Sequence, residues 1–234
     1  LGDVYKRQLE GDLERLRSFY LDRGYLEFSV EPPQVTISPD RKDIRITITV
    51  HEGEPYKVRS VKLAGNLIGL DKEINALVKV KPDETFSAAK ANDSAKAITD
   101  YLGELGYAFA NVNPNPQLDR AKHEADLTFY VDPSRRVYVR RIQIGGNTRT
   151  RDEVVRREMR QQEAAWYDAK DIKTSRDRVD RLGYFSDVNV KTDPVPGSPD
   201  QVDVNVDVKE KPTGMINPVS YTHLTLPTTP YVEI

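Results

Sequence analysis

The chain has 234 residues and no cysteine, so neither a disulfide nor a thiolate-bound metal can hold it together. Histidine is nearly absent. His51 and His123 stand alone and His223 lies close to the C-terminal end, so no metal-ligand spacing or catalytic pair is spelled out. No run of about 18 apolar residues is present, which excludes a membrane-crossing helix of ordinary length. No signal-peptide pattern appears at Leu1. A phosphate-cradling glycine loop and a nucleophile elbow are both missing, so the residues give no support to catalysis. Neither sign of charge dominates: the formal net charge is −2, and the chain as a whole is no electrostatic partner for nucleic acid.

What the chain does contain is a repeat. Val58-Arg59-Ser60-Val61-Lys62-Leu63-Ala64-Gly65-Asn66 returns 81 residues later as Val139-Arg140-Arg141-Ile142-Gln143-Ile144-Gly145-Gly146-Asn147. A Gly-Tyr pair recurs at Gly24-Tyr25, Gly106-Tyr107 and Gly183-Tyr184. An alternating strand closes each copy: Ile44 to Val50, Leu127 to Val131, and Val202 to Val208. A fixed period of this kind means an array of small modules, each able to hold its own core but only marginally stable alone.

The middle copy shows the order of elements. Tyr56 to Leu63 alternates as a strand, with a slip at Arg59-Ser60 that predicts a bulge. Gly65-Asn66 ends it in a turn. Asp71 is placed to cap a short helix carrying Ile74, Leu77 and Val78, and Pro82 to break it. Ser87 starts a longer helix with Ala91, Ala95, Ile98 and Leu102 along one stripe. Gly106 closes that helix in a left-handed conformation, and Tyr107 only packs. A strand over Tyr107 to Val112 follows, interrupted by Asn113-Pro114-Asn115-Pro116, and then the strand Leu127 to Val131. The last copy repeats this: a strand over Tyr138 to Ile144, the turn Gly146-Asn147 and a helix from Arg151 to Arg160. A second helix runs from Ala169 to Leu182, followed by the strands to Val190 and Val208. In Val202 to Val208 the valines face one way and Asp203, Asn205 and Asp207 the other, so one face packs on helices and the other is wet. The first copy keeps only a helix over Leu13 to Asp22 and its last two strands. The expected class is α+β: tandem β-α-α-β-β modules, each a three-stranded mixed sheet with two helices on one face.

This order, the strand ends Val-Arg-x-(Val/Ile)-x-(Leu/Ile)-x-Gly-Asn and the Gly-Tyr pairs resemble POTRA domains. Leu21-Asp22-Arg23-Gly24-Tyr25, Arg156-Arg157-Glu158-Met159-Arg160-Gln161 and Pro196-Gly197-Ser198-Pro199-Asp200-Gln201-Val202-Asp203-Val204 are similar to the outer-membrane assembly members of the Omp85 family. In that register residues 9–51 are the end of a third POTRA domain, 52–133 a fourth and 134–211 a fifth. Residues 212–217 open a linker to an absent β-barrel. Residues 1–8 and 218–234 follow neither pattern, resemble translated adapter sequence, and are set aside.

The resemblance implies a non-enzymatic periplasmic scaffold at the outer membrane, without cofactor or metal. It would dock BamD-like and other accessory lipoproteins and guide unfolded outer-membrane protein precursors, for instance by strand addition. Arg156, Glu163 and Trp166 match the lipoprotein-docking surface, and Arg156 and Glu163 would lie two helical turns apart on a continuing helix. From the residues alone, the same group also reads as a solvated helix with Trp166 under a loop. The second strand of each copy is the expected edge. Its client-binding candidates are Leu26, Phe28 and Val30; Phe109 and Val112; and Phe185 and Val188. The bland reading is an edge guarded against aggregation. Arg135, Arg136, Arg140, Arg141, Arg149, Arg151, Arg156, Arg157 and Arg160 crowd the last copy. They suit contact with the inner leaflet of the outer membrane, or pairing with Glu153, Glu158, Asp177 and Asp180. The other readings are the POTRA region of another Omp85-type secretion protein, or a membrane-surface module.

Overall fold

The computed structural model describes residues 2–37 and 44–212. The residues of the expected linker beyond Pro212, and the whole set-aside segment 218–234, lie outside the described residues.

The middle and last copies fold alike. In the middle one, β5 (Lys57–Gly65) leads to α2 (Asp71–Leu77) and α3 (Ala88–Glu104), then to β6 (Asn111–Asp119) and β7 (Glu124–Asp132). Strand β7 is central, parallel to β5 and antiparallel to β6. In the last copy β8 (Tyr138–Gly145), α4 (Asp152–Arg156), α5 (Ala169–Arg181), β9 (Phe185–Val195) and β10 (Ser198–Glu210) repeat the order, with β10 central. Helices pack on one face of each sheet. Ile74, Ile98, Leu102, Leu127 and Phe129 are buried in one core, and Val155, Val179, Val202, Val204 and Val206 in the other. The alternation of the last strand thus becomes one dry and one wet face. The first copy has α1 (Gly2–Leu21) and two two-stranded ribbons. One pairs β1 (Ser29–Val30) with β4 (Val50–His51), and the other pairs β2 (Gln34–Ile37) with β3 (Ile44–Thr47). Among the described residues up to His51 nothing corresponds to β5 and α2, and Ile44 and Ile46 stay exposed.

The expected bulge is present in both complete copies. Register shifts between Val58 and Ser60, and again where Arg140 is skipped beside Val202 and Asp203. Each extra residue is an arginine that forks onto an aspartate of the central strand. Arg59 Nε donates to Asp126 Oδ1 (3.0 Å) and Arg140 Nε to Asp203 Oδ1 (2.9 Å). A planar guanidinium meets both carboxylate oxygens at once, which fixes the register of the parallel pair. The Arg59 guanidinium and the Ser60 hydroxyl hold Asp126 down at about 2.

Several boundaries differ from expectation. Asp71 is the first residue of α2 rather than its cap; Leu70 stands at the cap position with no side-chain bond. Helix α2 ends at Leu77, well before Pro82, and the buried Ser94 hydroxyl takes up the freed N–H of Lys79 (2.9 Å). Ser87 does cap α3, accepting from Lys90 N–H. The prolines do not interrupt β6: the ladder with β7 runs unbroken from Asn111 to Asp119. Pro114 and Pro116 have the same parity, so their nitrogens face the open edge, where no ladder donor is needed. Helix α1 begins at Gly2, so it includes residues 2–8, where no break residue stops propagation from the amphipathic turns that follow. The strand expected from Ile44 to Val50 is split at Ile48-Thr49 into β3 and β4.

The Gly-Tyr pairs are the joints between copies. Tyr56 N–H donates to Gly24 O and Val137 N–H to Gly106 O, both at 2.9 Å. Gly106 has φ +101°, and a Cβ there would stand 2.9 Å from Arg136 Cγ. Tyr25 and Tyr107 are half-buried beside these joints, but Tyr184 is 55% exposed, so the packing role expected for all three tyrosines holds for two. At the Gly-Asn turns a side chain is impossible for a different reason. A Cβ on Gly65 or Gly146 would collide with the carbonyl of Val131 or Val208 on the central strand. Asn66 and Asn147 then close the turns through Ile68 N–H and Thr150 O.

Candidate partner-docking site

The two complete copies superpose in register at an offset of 81 residues, from the buried Val58 and Val139 to the helix caps Ser87 and Asp168 and the buried serines Ser94 and Ser175. Against that background Arg156, Glu163 and Trp166 stand where the middle copy has Asn75, Pro82 and Thr85. The three residues singled out from sequence are therefore places where the last copy departs from the repeat.

Their arrangement is not the expected one. Helix α4 is a single short element ending at Arg156, so no continuous helix links Arg156 to Glu163. Residues 157–163 instead turn back toward β8 and bring the carboxylate to the guanidinium, with Arg156 Nη1 to Glu163 Oε1 at 3.4 Å. Arg156 Nε also donates to Asp152 Oδ2 (2.9 Å), and the Asp152 and Glu163 carboxylates hold the guanidinium above its ordinary range. Both partners reach the main chain of β8 at one residue. Ile142 N–H donates to Glu163 Oε1 (2.8 Å), and Arg156 Nη2 donates to Ile142 O (3.2 Å). Oxygen Oε1 takes both internal bonds, while the side chain remains about half exposed, so Oε2 is the part of Glu163 offered outward.

Trp166 is not tucked under a loop; it is 54% exposed. Its ring meets Tyr138 edge-on at 6.2 Å, and the Arg136 guanidinium lies over it at 4.2 Å, a cation–π contact. The turn that carries it is organised by Gln161, which is 3% exposed and fully bonded. Its carbonyl accepts Asp168 N–H (2.8 Å) and its amide donates to Gln162 O and Trp166 O. Sequence reasoning missed Gln161, although the signal was available: a glutamine where the repeat has the buried Val80. Next to it an open groove of about 470 Å³ runs between Glu104 at the end of α3 and Arg136, Arg160, Trp166 and Asp171.

The client-binding candidates separate into edge and core. Strands β6 and β9 are edges of their sheets, but Phe28, Val112, Phe185 and Val188 point their side chains into the cores. Leu26 is half-buried, and Phe109 lies in the turn before β6, which starts only at Asn111. Val30 belongs to the two-residue β1. Among the arginines, Arg140 pairs with Asp203, Arg156 with Asp152 and Glu163, and Arg157 with Glu158. Of the carboxylates expected as partners, only Glu158 takes part in these pairs; Arg178 binds it too, at 2.7 Å. Among the described residues there is no cluster of three or more metal-ligating side chains, and no helix is long and apolar enough to cross a membrane, which says nothing of a β-barrel.

The folds and joints define two like modules in a string, preceded by part of a third. The family described as POTRA, surface antigen variable number repeat, matches residues 1–53, 56–134 and 137–211, and the chain belongs to it. Among individual proteins, the chain is 34% identical over 207 residues to the outer membrane protein assembly factor BamA of Neisseria meningitidis. That match covers 88% of this chain and 26% of the relative. It is 35% identical over 211 residues to BamA of Buchnera aphidicola, covering 90% of this chain and 34% of the relative. The chain thus spans about a quarter to a third of the length of these relatives. The crystal structure of Haemophilus influenzae BamA POTRA3-5 is similar at a TM-score of 0.83 and 38% identity, over 87% of this chain and 80% of that one.

Proposed function

We propose that the chain is a non-catalytic periplasmic scaffold segment of an outer-membrane protein assembly factor, corresponding to the end of a third POTRA domain and the fourth and fifth. Its last module docks an accessory lipoprotein of the BamD type. The observation that carries this is that three departures from the repeat lie along the outer edge of β8: the Arg156 guanidinium and the Glu163 carboxylate, both held at Ile142, and the half-exposed Trp166 indole against Tyr138. Charged groups held in place and an aromatic anchor are what a specific protein partner uses. Similarity to BamA in sequence and fold supports the setting.

The second role is the handling of unfolded outer-membrane protein precursors along exposed strand edges. Strand β6 is blunted for this by Pro114 and Pro116, whereas β9 is free of proline from Phe185 to Asp193. Strand addition gives affinity through the main chain and little side-chain selectivity, which suits many clients.

The test is binding of the folded chain to a BamD-type lipoprotein, beside a Glu163→Lys variant with an unchanged circular dichroism spectrum. Binding abolished by the charge reversal supports the reading. Binding indifferent to it removes the site. Salt-sensitive binding to anionic vesicles without lipoprotein binding would favour a membrane-surface module instead.

A further inference from the structure

The outer edge of the first strand is closed in one module and open in the other. In both, the chain entering the long helix adds to the start of that edge. Val58 N–H donates to Glu84 O (2.8 Å), Asp83 N–H to Val58 O (2.8 Å) and Phe86 N–H to Tyr56 O (2.9 Å). Likewise Val139 N–H donates to Ala165 O, Ala164 N–H to Val139 O and Tyr167 N–H to Val137 O. The edge therefore takes main-chain partners as another strand would. Past the bulge, the next outward-facing residue is Ile142 in the last module, and its N–H and C=O are both occupied by Glu163 and Arg156. Together these two side chains supply one acceptor and one donor, as one residue of an added strand does.

In the middle module the residue at that position is Val61, the same distance past the same bulge. Asn75 and Pro82 replace the arginine and the glutamate, and neither bonds to it. Next along the strand, at Leu63 and beside Asn75, there is an open groove of about 370 Å³ lined also by Leu67, Asp71 and Lys72. We propose that this β5 edge, at Val61 and Leu63, accepts an extended segment of an unfolded polypeptide. An apolar side chain of that segment would rest against Leu63 and Leu67, while Arg156 and Glu163 bar the same addition at β8. The main-chain pairing already made at Tyr56 and Val58, and its imitation by side chains at Ile142, name the occupant as extended backbone. The proposal rests on the client-handling reading and adds a first-strand edge of the middle module to it.

The experiment uses the whole chain and a ten-residue peptide alternating phenylalanine or valine with threonine or lysine, the pattern of a barrel strand. Amide hydrogen exchange is read at Val61, Leu63 and Ile142. The proposal predicts that the peptide slows exchange at Val61 and Leu63 at least about tenfold and leaves Ile142 unchanged. Asn75→Arg with Pro82→Glu, which copies the plug into the middle module, abolishes the effect, as does Leu67→Glu. Peptide binding with no change at Val61 and Leu63 overturns this site and leaves client handling by other edges intact. Failure of the folded chain to bind the peptide at all overturns both.

Discussion

At the scale of single residues, the molecule turns on carboxylates held by positioned donors. Asp126 is ionised down to about 2 because Arg59 and Ser60 bond its charged form. A depressed carboxylate stabilises the fold fully above its unfolded pKa, and that contribution fades as pH falls from about 4 toward about 2. Asp126→Asn should therefore lower the urea midpoint at pH 7 and flatten its fall between those pH values. An unchanged acid limb would mean that the Arg59 fork contributes nothing to stability. The task proposed for Glu163 is different. Glu163→Gln keeps an acceptor for Ile142 N–H but removes the charge, so it should fold as the parent does and bind the lipoprotein at least about tenfold more weakly. Equal affinity by isothermal titration would show that shape, not charge, governs the contact. The identity of these residues was legible in the sequence, but their geometry was not. A seven-residue spacing suggested two helical turns, whereas the contact is made by a chain that leaves the helix at Arg156 and doubles back.

At the scale of elements, period-two alternation revealed the strands of the complete modules well because one face of each three-stranded sheet is dry, as Val202 to Val208 shows. Helix ends were less legible. The short helices have no side-chain N-cap, and the backbone beyond them is satisfied by a buried serine far along the chain. Ser94 and Ser175 do the same work in both modules, each bonding back to its own helix and accepting an N–H from the preceding loop. Ser175→Ala leaves Arg160 N–H without its acceptor and should cost about 1–3 kcal/mol in denaturant unfolding. Ser87→Ala removes a true helix cap and should cost about 1 kcal/mol. If both serine changes are silent, the N–H groups of Arg160 and Lys90 are satisfied by water instead.

At the scale of the whole molecule, the repeated joint links each module to the next through a glycine carbonyl and one strand-entry N–H. Helices α3 and α5 also meet closely: a Cβ on Gly103 would lie 2.8 Å from that of Ala169. The proposed docking surface lies next to the second joint, since Arg136 both abuts Gly106 and covers Trp166. A partner seated there would sense the angle between modules as well as the last module itself. The most direct measurement is the amide-exchange footprint of a BamD-type lipoprotein on the intact chain. The account predicts protection over residues 156–168 and around Arg136, with the first module untouched. A footprint confined to the first or middle module, or spread evenly along the string, would contradict it.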